Sequence, residues 1–318
     1  MSTSSLVLRI VSASVAISHR AGKIIRDVMS KGQLGIVEKG VNDVQTEADR
    51  SAQRCIIASL NKQFPGMCVF GEEQDLEGDV NPDWIETSQD DSVLTSSCPD
   101  NLKDVAQDDV VVWVDPLDGT SEYTQGLLDH VTVLIGVAVK GKAVGGVIYQ
   151  PFYKFQKESV TNATGRCIWA VVGLDCGEKG AFGFERNSPP EGQNIITTTR
   201  SHSNKNVVDS IEACNPTQVV RVGGAGHKVL LLIEGKVNAY IFASPGCKKW
   251  DTCAPEAVLH AIGGKLTDVH GNDIEYHKEI QHVNSGGVLA TLDADKHQWY
   301  QDRIPQHVRD NLPVITSV

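Results

Sequence analysis

Two carboxylates three positions apart, Asp115 and Asp118, carry the clearest chemical signal in the sequence, and they directly follow the apolar run Val110–Val114. Such a run is typical of a buried strand. Carboxylates at its end are oxygen ligands suited to a hard cation such as Mg²⁺. Gly119 and Thr120 follow, where helix-start amides could bind a phosphate. The segment predicts a turn that binds both a metal ion and a phosphate. A plain turn in which Asp118 caps the next helix fits the same residues.

Three further acids are candidate site residues, but the local sequence around each also has a purely structural explanation. Asp49 lies three residues after Thr46, which is the spacing of a capping box at a helix start. Asp251 stands at the N-cap of a helix predicted over Thr252–Ile262. Glu72 follows a short predicted strand, and an acid in such a loop is usually solvated. Taken singly, these positions do not establish a site.

Composition limits the classes of function. The chain has 318 residues, of which 41% are apolar, enough for a substantial core, and its longest apolar run is too short to span a membrane. A net charge of −11 argues against non-specific nucleic-acid binding, and a polyanionic substrate would need local cations. The eight cysteines show no Cys-x-x-Cys spacing, which predicts reduced, mostly buried thiols in a cytoplasmic protein.

The N-terminal segment favours a structural helix. It lacks acids up to Arg26 and so resembles a transit peptide. Its apolar residues nevertheless recur with helical spacing as far as Gly32, which is typical of a helix packed on a core. A second helix is predicted over Thr46–Gln63, and residues 79–109 read as an acidic surface excursion with a short helix.

The remaining elements alternate between helix and strand. The dipeptides around Gly141 predict a hairpin between Val131–Val139 and Ala143–Tyr149. Further strands are predicted at Cys167–Val172, Asn194–Thr198, Gln218–Val222, Asn238–Ala243 and Gly287–Ala290. Further helices are predicted at Asn204–Cys214, Gly226–Glu234 and Lys296–Asp302. This mixture predicts a layered α/β fold with an antiparallel or mixed sheet.

A glycine-rich loop, Gly223–Gly226, lies between a predicted strand and a predicted helix. It lacks the Gly-x-Gly-x-x-Gly spacing of dinucleotide loops, because Val229 occupies the last glycine position. With Lys228 close by, it still suits a phosphate. His202, considered alone, would be a surface-loop histidine.

In this order, Glu72 and the segments Asp115–Thr120 and Trp250–Pro255 resemble the motifs of a superfamily of phosphatases. The superfamily comprises the lithium-sensitive, Mg²⁺-dependent inositol monophosphatases and fructose bisphosphatases. Three more segments resemble its 3′(2′),5′-bisphosphate nucleotidase branch: Thr197–Ser203, Val222–Lys228 and Ser244–Asp251. The similarity runs from the first helix through Gly287, and the chain departs from the branch at Ser121, where lysine is frequent, and in an extra loop at Asp175–Gly180.

The resemblance implies a role for each matching residue. Asp49 and Thr120 would orient and deprotonate the attacking water, and the backbone amides of Gly119 and Thr120 would bind the scissile phosphate. The implied Mg²⁺ ligands are Glu72, Asp115, Asp118, Asp251 and the Leu117 carbonyl. The implied contacts to the nucleoside and its second phosphate are Thr199, His202, Gly224 and Lys228.

The fold implied by the resemblance is an alternating α/β/α/β/α sandwich. Its site would lie where two halves meet, residues 1–157 with most of the metal carboxylates and residues 158–318 with the nucleotide-binding loops. Two or three Mg²⁺ ions would be bound, and Li⁺ would inhibit.

The implied activity is removal of the 3′-phosphate from adenosine 3′,5′-bisphosphate, which leaves AMP and clears a by-product of sulfotransferase reactions. The sulfated parent nucleotide, 3′-phosphoadenylyl sulfate, is a second candidate substrate. We expect a cytoplasmic enzyme whose partner is a small-molecule nucleotide, with no nucleic acid, membrane or protein partner. Two alternatives remain: an inositol polyphosphate 1-phosphatase, and a non-catalytic metal- and nucleotide-binding protein, which the presence of both Asp49 and Thr120 disfavours.

Overall fold

The computed structural model describes residues 4–40, 43–73, 80–155, 165–174 and 180–314, so most of the extra loop predicted at Asp175–Gly180 lies outside the described residues. The helices are α1 (Leu6–Lys31), α2 (Glu47–Gln63), α3 (Asp91–Leu94), α4 (Thr120–Thr124), α5 (Lys205–Ala213), α6 (Ala225–Ile233), α7 (Lys249–Ala261), α8 (Ala294–Arg303) and α9 (Gln306–Asn311). The strands are β1 (Val37–Gly40), β2 (Asp43–Gln45), β3 (Cys68–Gly71), β4 (Val110–Asp118), β5 (Thr132–Val139), β6 (Lys142–Gln150), β7 (Arg166–Val171), β8 (Ala181–Phe182), β9 (Ile195–Thr199), β10 (Gln218–Val222), β11 (Ala239–Phe242), β12 (Lys265–Thr267) and β13 (Val288–Thr291).

The first helix ends, and the second helix begins and ends, where the sequence predicts. Ser5 caps α1 by accepting a hydrogen bond from the Leu8 amide, and Gly32 ends it in the left-handed region at φ 69°. The apolar stripe of α1 is buried, so the segment is the predicted structural helix. Thr46 is the N-cap of α2, and Asp49 completes the predicted capping box by accepting from the Thr46 amide. The same contact fixes the Asp49 carboxylate in the protein interior.

The first sheet has six strands in the order β3-β4-β5-β6-β7-β8. Alternate residues of β4 face opposite layers. Val112 packs into the core shared with α1 and α2, whereas Trp113 packs into the core shared with α7. The predicted hairpin is confirmed, because β5 and β6 pair antiparallel around the turn at Gly141.

An irregularity at the end of β4 explains how Asp115 and Asp118 can serve one site. In a regular strand, residues three apart point to opposite faces. The register instead pairs Asp115 with Leu134 and Asp118 with Thr132. Between these two pairs β4 advances by three residues, whereas β5 advances by only two. A bulge of this kind re-aims side chains. The strand therefore continues past Val114, the end of the predicted apolar run, and turns both acids to a common side.

The second sheet has five strands in the order β10-β9-β11-β13-β12. Helices α6 and α7 lie between the sheets: α7 contacts β4 to β7 and β12, and α6 contacts β5, β9 and β11. Helices α5 and α8 contact β11 and β13, and α9 packs on α5. The order of layers is helix, sheet, helix, sheet, helix, which confirms the predicted sandwich. Helix α9 and the short strands β1, β2, β8 and β12 were not predicted.

The start of α7 differs from the prediction. The helix begins at Lys249 rather than Thr252, so Asp251 is its third residue and not its N-cap, and Pro255 lies in its second turn. The Lys248 amide donates to Asp251 Oδ2 at 2.5 Å, which satisfies a helix-start donor from within the helix. Helix α7 also packs closely on the first sheet, since a Cβ at Gly146 would lie 2.4 Å from the Ala254 carbonyl oxygen.

Of the described helices, none combines the length and apolarity needed to cross a bilayer.

Candidate metal and phosphate site

Three buried or half-buried carboxylates meet between the first sheet and α7. Asp115, Asp118 and Asp251 can each offer an oxygen so that these oxygens all lie within 4.8 Å of one another. The first two come from the bulged end of β4, and the third comes from the first turn of α7. The structure therefore brings together acids that are more than 130 positions apart at their extremes.

The carboxylates of this cluster repel one another, and a bound cation would relieve that repulsion. Burial, and then the neighbouring Glu72, Asp118 and Asp251 carboxylates, raise the pKa of Asp115 well above its usual value. Burial and the Asp118 charge raise the pKa of Asp251 to about 6. Oxygen donors of this type and density match the ligand preference of Mg²⁺, so the residues fit that ion.

Glu72 adjoins the cluster of three, since its carboxylate helps to raise the pKa of Asp115. Burial raises its pKa to about 8, while the nearby Lys39 ammonium opposes that shift. Lys39 Nζ lies 3.2 Å from Glu72 Oε1 and 3.1 Å from Glu73 Oε1. Lys39 was not predicted as a site residue, because the hairpin that carries it was not predicted. The Leu117 carbonyl, the other predicted ligand, accepts a hydrogen bond from Thr120 Oγ1 at 3.1 Å.

The predicted water-activating pair is in contact. Thr120 Oγ1 lies 2.9 Å from Asp49 Oδ1, and Asp49 Oδ2 accepts from both the amide and the hydroxyl of Thr46. Burial raises the pKa of Asp49 to about 6, although the bonds from Thr46 and Thr120 work against the shift. A buried carboxylate that holds a hydroxyl in this way can receive its proton.

Gly119 has the left-handed conformation at φ 89° and precedes α4. A side chain there would be strained, and its Cβ would lie 3.3 Å from the His130 carbonyl oxygen. Glycine is therefore required for the chain to turn from β4 into α4, which leaves the amides that follow it at the start of a helix.

A cleft of about 400 Å³ joins these elements. Its lining includes Glu72, Asp118 and Asp251 together with Gly119 and Thr120. The predicted nucleotide contacts line it as well: Thr199, His202, Gly224 and Lys228. The three remaining predicted residues contact residues of this lining: Asp49 and Leu117 contact Thr120, and Asp115 is grouped with Asp118 and Asp251.

A lysine supplies positive charge beside the acids of the cleft. Lys228 is buried, and its Nζ donates to the Gly224 carbonyl at 2.9 Å. Its charge lowers the pKa of Asp118 against the larger effect of burial, which raises it. The exposed His202 is tied back to β9, because its amide donates to Thr199 Oγ1 at 3.0 Å.

A second pair at the mouth of the cleft was not predicted. Arg200 Nε donates to Glu122 Oε1 at 3.2 Å, and one of its terminal amino groups donates to Gln125. Gln125 in turn donates to Ser121 Oγ at 2.9 Å. The pair joins α4 to the loop after β9. No sequence pattern predicts it, because the two residues are far apart in the chain.

Comparison with known proteins agrees with this geometry. The sequence profile of the inositol monophosphatase family matches residues 7–309 of this chain. The protein named 3′(2′),5′-bisphosphate nucleotidase 1 from Homo sapiens is 52% identical over 312 residues, covering 98% of this chain and 99% of that protein. Inositol monophosphatase 3 from Xenopus laevis is 32% identical and covers 90% of this chain and 79% of that protein.

A solved structure shows the same fold. The extragenic suppressor protein suhB from Bartonella henselae matches with a TM-score of 0.65 and 19% identity, covering 93% of this chain and 98% of that one. The layered fold and its acid cluster define a phosphatase of the metal-dependent class. The chain belongs to the inositol monophosphatase family.

Proposed function

We propose that the protein is a Mg²⁺-dependent 3′(2′),5′-bisphosphate nucleotidase. It removes the 3′-phosphate from adenosine 3′,5′-bisphosphate to give AMP and phosphate, and it accepts 3′-phosphoadenylyl sulfate as a second substrate. The observation that carries this is the single cleft, which joins the acid cluster and the Thr120–Asp49 pair to the Gly224–Lys228 segment. The name of the human relative supports the choice of nucleotide.

The proposed metal site consists of Asp115, Asp118 and Asp251, with Glu72 adjoining it and the Leu117 carbonyl beside it. Bound Mg²⁺ would lower the pKa of water and stabilise charge on the leaving oxygen. We infer that the site takes two or three ions and that Li⁺ inhibits, on the strength of the motif resemblance. Since the acids come from both sides of residue 157, the site lies where the proposed halves, residues 1–157 and 158–318, meet.

The chain's own residues would move one proton and hold two phosphates. The Thr120 hydroxyl accepts a proton from the attacking water as it passes its own to Asp49 Oδ1, 2.9 Å away. The amides of Gly119 and Thr120 hold the scissile phosphate at the start of α4. Lys228 and the Gly224 loop hold the second phosphate, and Thr199 and His202 contact the nucleoside. We place the enzyme in the cytoplasm, because the described cysteines are free thiols.

The test is ³¹P NMR of adenosine 3′,5′-bisphosphate with the purified protein, in Mg²⁺ and in EDTA, with and without Li⁺. Inositol 1,4-bisphosphate serves as the competing substrate. We expect Mg²⁺-dependent loss of the 3′ resonance, retention of the 5′ resonance, and inhibition by Li⁺. Faster hydrolysis of the inositol compound would favour the 1-phosphatase alternative, and nucleotide binding without turnover of either compound would favour the non-catalytic one.

A further inference from the structure

The carboxylate of Asp118 is held by donors from two other parts of the chain. Thr132 Oγ1 donates to Asp118 Oδ2 at 2.7 Å, and the Gly226 amide donates to the same oxygen at 2.9 Å. The Ala225 amide donates to Oδ1 at 2.8 Å. A carboxylate oxygen has two lone-pair directions. Oδ2 is therefore saturated, whereas Oδ1 keeps one lone pair for a further partner.

Thr132 reaches Asp118 through the bulge at the end of β4. The register places the two residues opposite each other across β4 and β5. Thr132 is completely buried, and a Cβ on Gly226 would lie 2.5 Å from its hydroxyl oxygen. Close packing on this side limits rotation of the threonine side chain, so its hydroxyl remains directed at Oδ2.

The same contacts connect Asp118 to the cleft's other half. Helix α6 has no side-chain cap from its own N-cap residue, Gly224. The Asp118 carboxylate accepts from the first two amides of α6 instead, which is the usual role of a capping side chain. Lys228, on the first turn of α6, is thereby fixed relative to the acid cluster.

We propose that Thr132 is a positioning residue for the metal site. By holding Oδ2 it orients Asp118 so that Oδ1 is the oxygen offered to a divalent cation, and it fixes the acid against the start of α6. The inference rests on the proposed metal-dependent function. Partners that orient a ligating side chain from behind typically change metal affinity by about 10- to 100-fold when they are removed.

The alternative is that the hydroxyl only satisfies a buried carboxylate. In that case its loss would lower stability and leave metal affinity unchanged. The two roles separate because stability can be measured in EDTA, while Mg²⁺ affinity can be measured by isothermal titration calorimetry without nucleotide or turnover.

The experiment compares Thr132→Val, which removes the donor at similar volume, with Thr132→Ser, which keeps it. Thr198→Val is the matched control, because Thr198 is also a fully buried strand threonine whose hydroxyl donates at 2.7 Å, in its case to the Ile241 carbonyl. Thr132→Ala removes the same donor without placing a new methyl group against the carboxylate, and it replaces Thr132→Val if that variant fails to fold.

We expect Thr132→Val to weaken Mg²⁺ binding by roughly tenfold, and Thr132→Ser to stay within about twofold of the wild type. Thr198→Val should lower the melting temperature in EDTA and leave Mg²⁺ affinity unchanged. Wild-type Mg²⁺ affinity in Thr132→Val or Thr132→Ala would overturn the inference. That result differs from failure of the proposed function, which would appear as absence of phosphate release by the wild-type protein.

Discussion

Thr120 connects Asp49 of the second helix with the segment that carries Asp115 and Asp118. Its single hydroxyl hydrogen lies between two acceptors, Asp49 Oδ1 and the Leu117 carbonyl. A hydroxyl can donate to only one of them fully at a time. The bond to Asp49 offers a route for a proton out of the cleft, whereas the bond to Leu117 keeps the hydroxyl beside the proposed metal ligands. This arrangement supports the proposed role of Asp49 as a proton acceptor, in addition to its role as a helix cap.

We predict that Asp49→Asn lowers kcat by about 10²- to 10⁴-fold, because an amide oxygen is a far weaker proton acceptor than a carboxylate. Binding of AMP, measured by calorimetry, should remain within a few-fold of the wild type. Asp268→Asn is the matched control, since Asp268 is also buried and accepts from the amides of His270 and Asn272. Equal losses of binding and turnover in Asp49→Asn would show that the residue is structural.

At the scale of elements, the site depends on where β4 ends and where α7 begins. The apolar run of β4 and the capping box of α2 were predictable, because strand burial and caps follow from local residue types. The bulge after Asp115 and the early start of α7 at Lys249 were not. Both are set by contacts across the fold: β5 fixes the register of β4, and the glycine pair Gly136 and Gly146 admits α7 against the sheet.

The grouping of the acids was predicted only through the motif resemblance. No local pattern brings Asp251 to Asp115, because their meeting requires α7 to lie on the first sheet. The Arg200–Glu122 and Thr132–Asp118 contacts were missed for the same reason, since each joins elements that are separate in sequence.

The contact between α4 and the loop after β9 leads to a prediction for Arg200. Glu122 is buried at the lining of the cleft, and Arg200 lies 3.1 Å from its carboxylate. Arg200→Gln would leave that negative charge unneutralised near a polyanionic substrate. We expect KM for the nucleotide to rise about three- to tenfold with a smaller change in kcat, as steady-state kinetics would measure.

Lys205→Gln is the control for Arg200→Gln. It removes one positive charge and an ion pair to Asp209 at 2.7 Å, but on the exposed face of α5. Its KM should stay at the wild-type value. A similar rise in KM for both variants would mean that net charge, rather than the Glu122 contact, controls nucleotide binding.

For the whole molecule, the acid cluster links stability to pH and to metal. Burial raises the pKa of Glu72 from 4.5 to about 8 and that of Asp251 from 3.8 to about 6. An acid with a raised pKa binds its proton more tightly in the folded state than in the unfolded state. Its stabilising effect is thus complete below the unfolded pKa and is lost as the pH rises through the folded pKa.

We therefore predict that the contribution of these acids to stability in EDTA falls between about pH 4 and about pH 8. Buried histidines whose pKa is lowered by burial, such as His227, act in the opposite direction below the ordinary histidine pKa of 6.5. Mg²⁺ binds the ionised carboxylates of the folded state, so the stabilisation that it provides should grow over the same range. Differential scanning calorimetry with matched Mg²⁺ and EDTA samples measures both effects. A Mg²⁺ shift that is absent, or that shrinks as the pH rises, would contradict the account.

The most direct test of the central claim, that distant acids form one site for divalent cations, is a crystal structure grown with Mn²⁺ and AMP, with anomalous scattering collected to locate the ions. The account predicts anomalous peaks about 2.0–2.4 Å from carboxylate oxygens of Asp115, Asp118 and Asp251. Crystals in which these three side chains hold no ion, while AMP occupies the cleft, would contradict it.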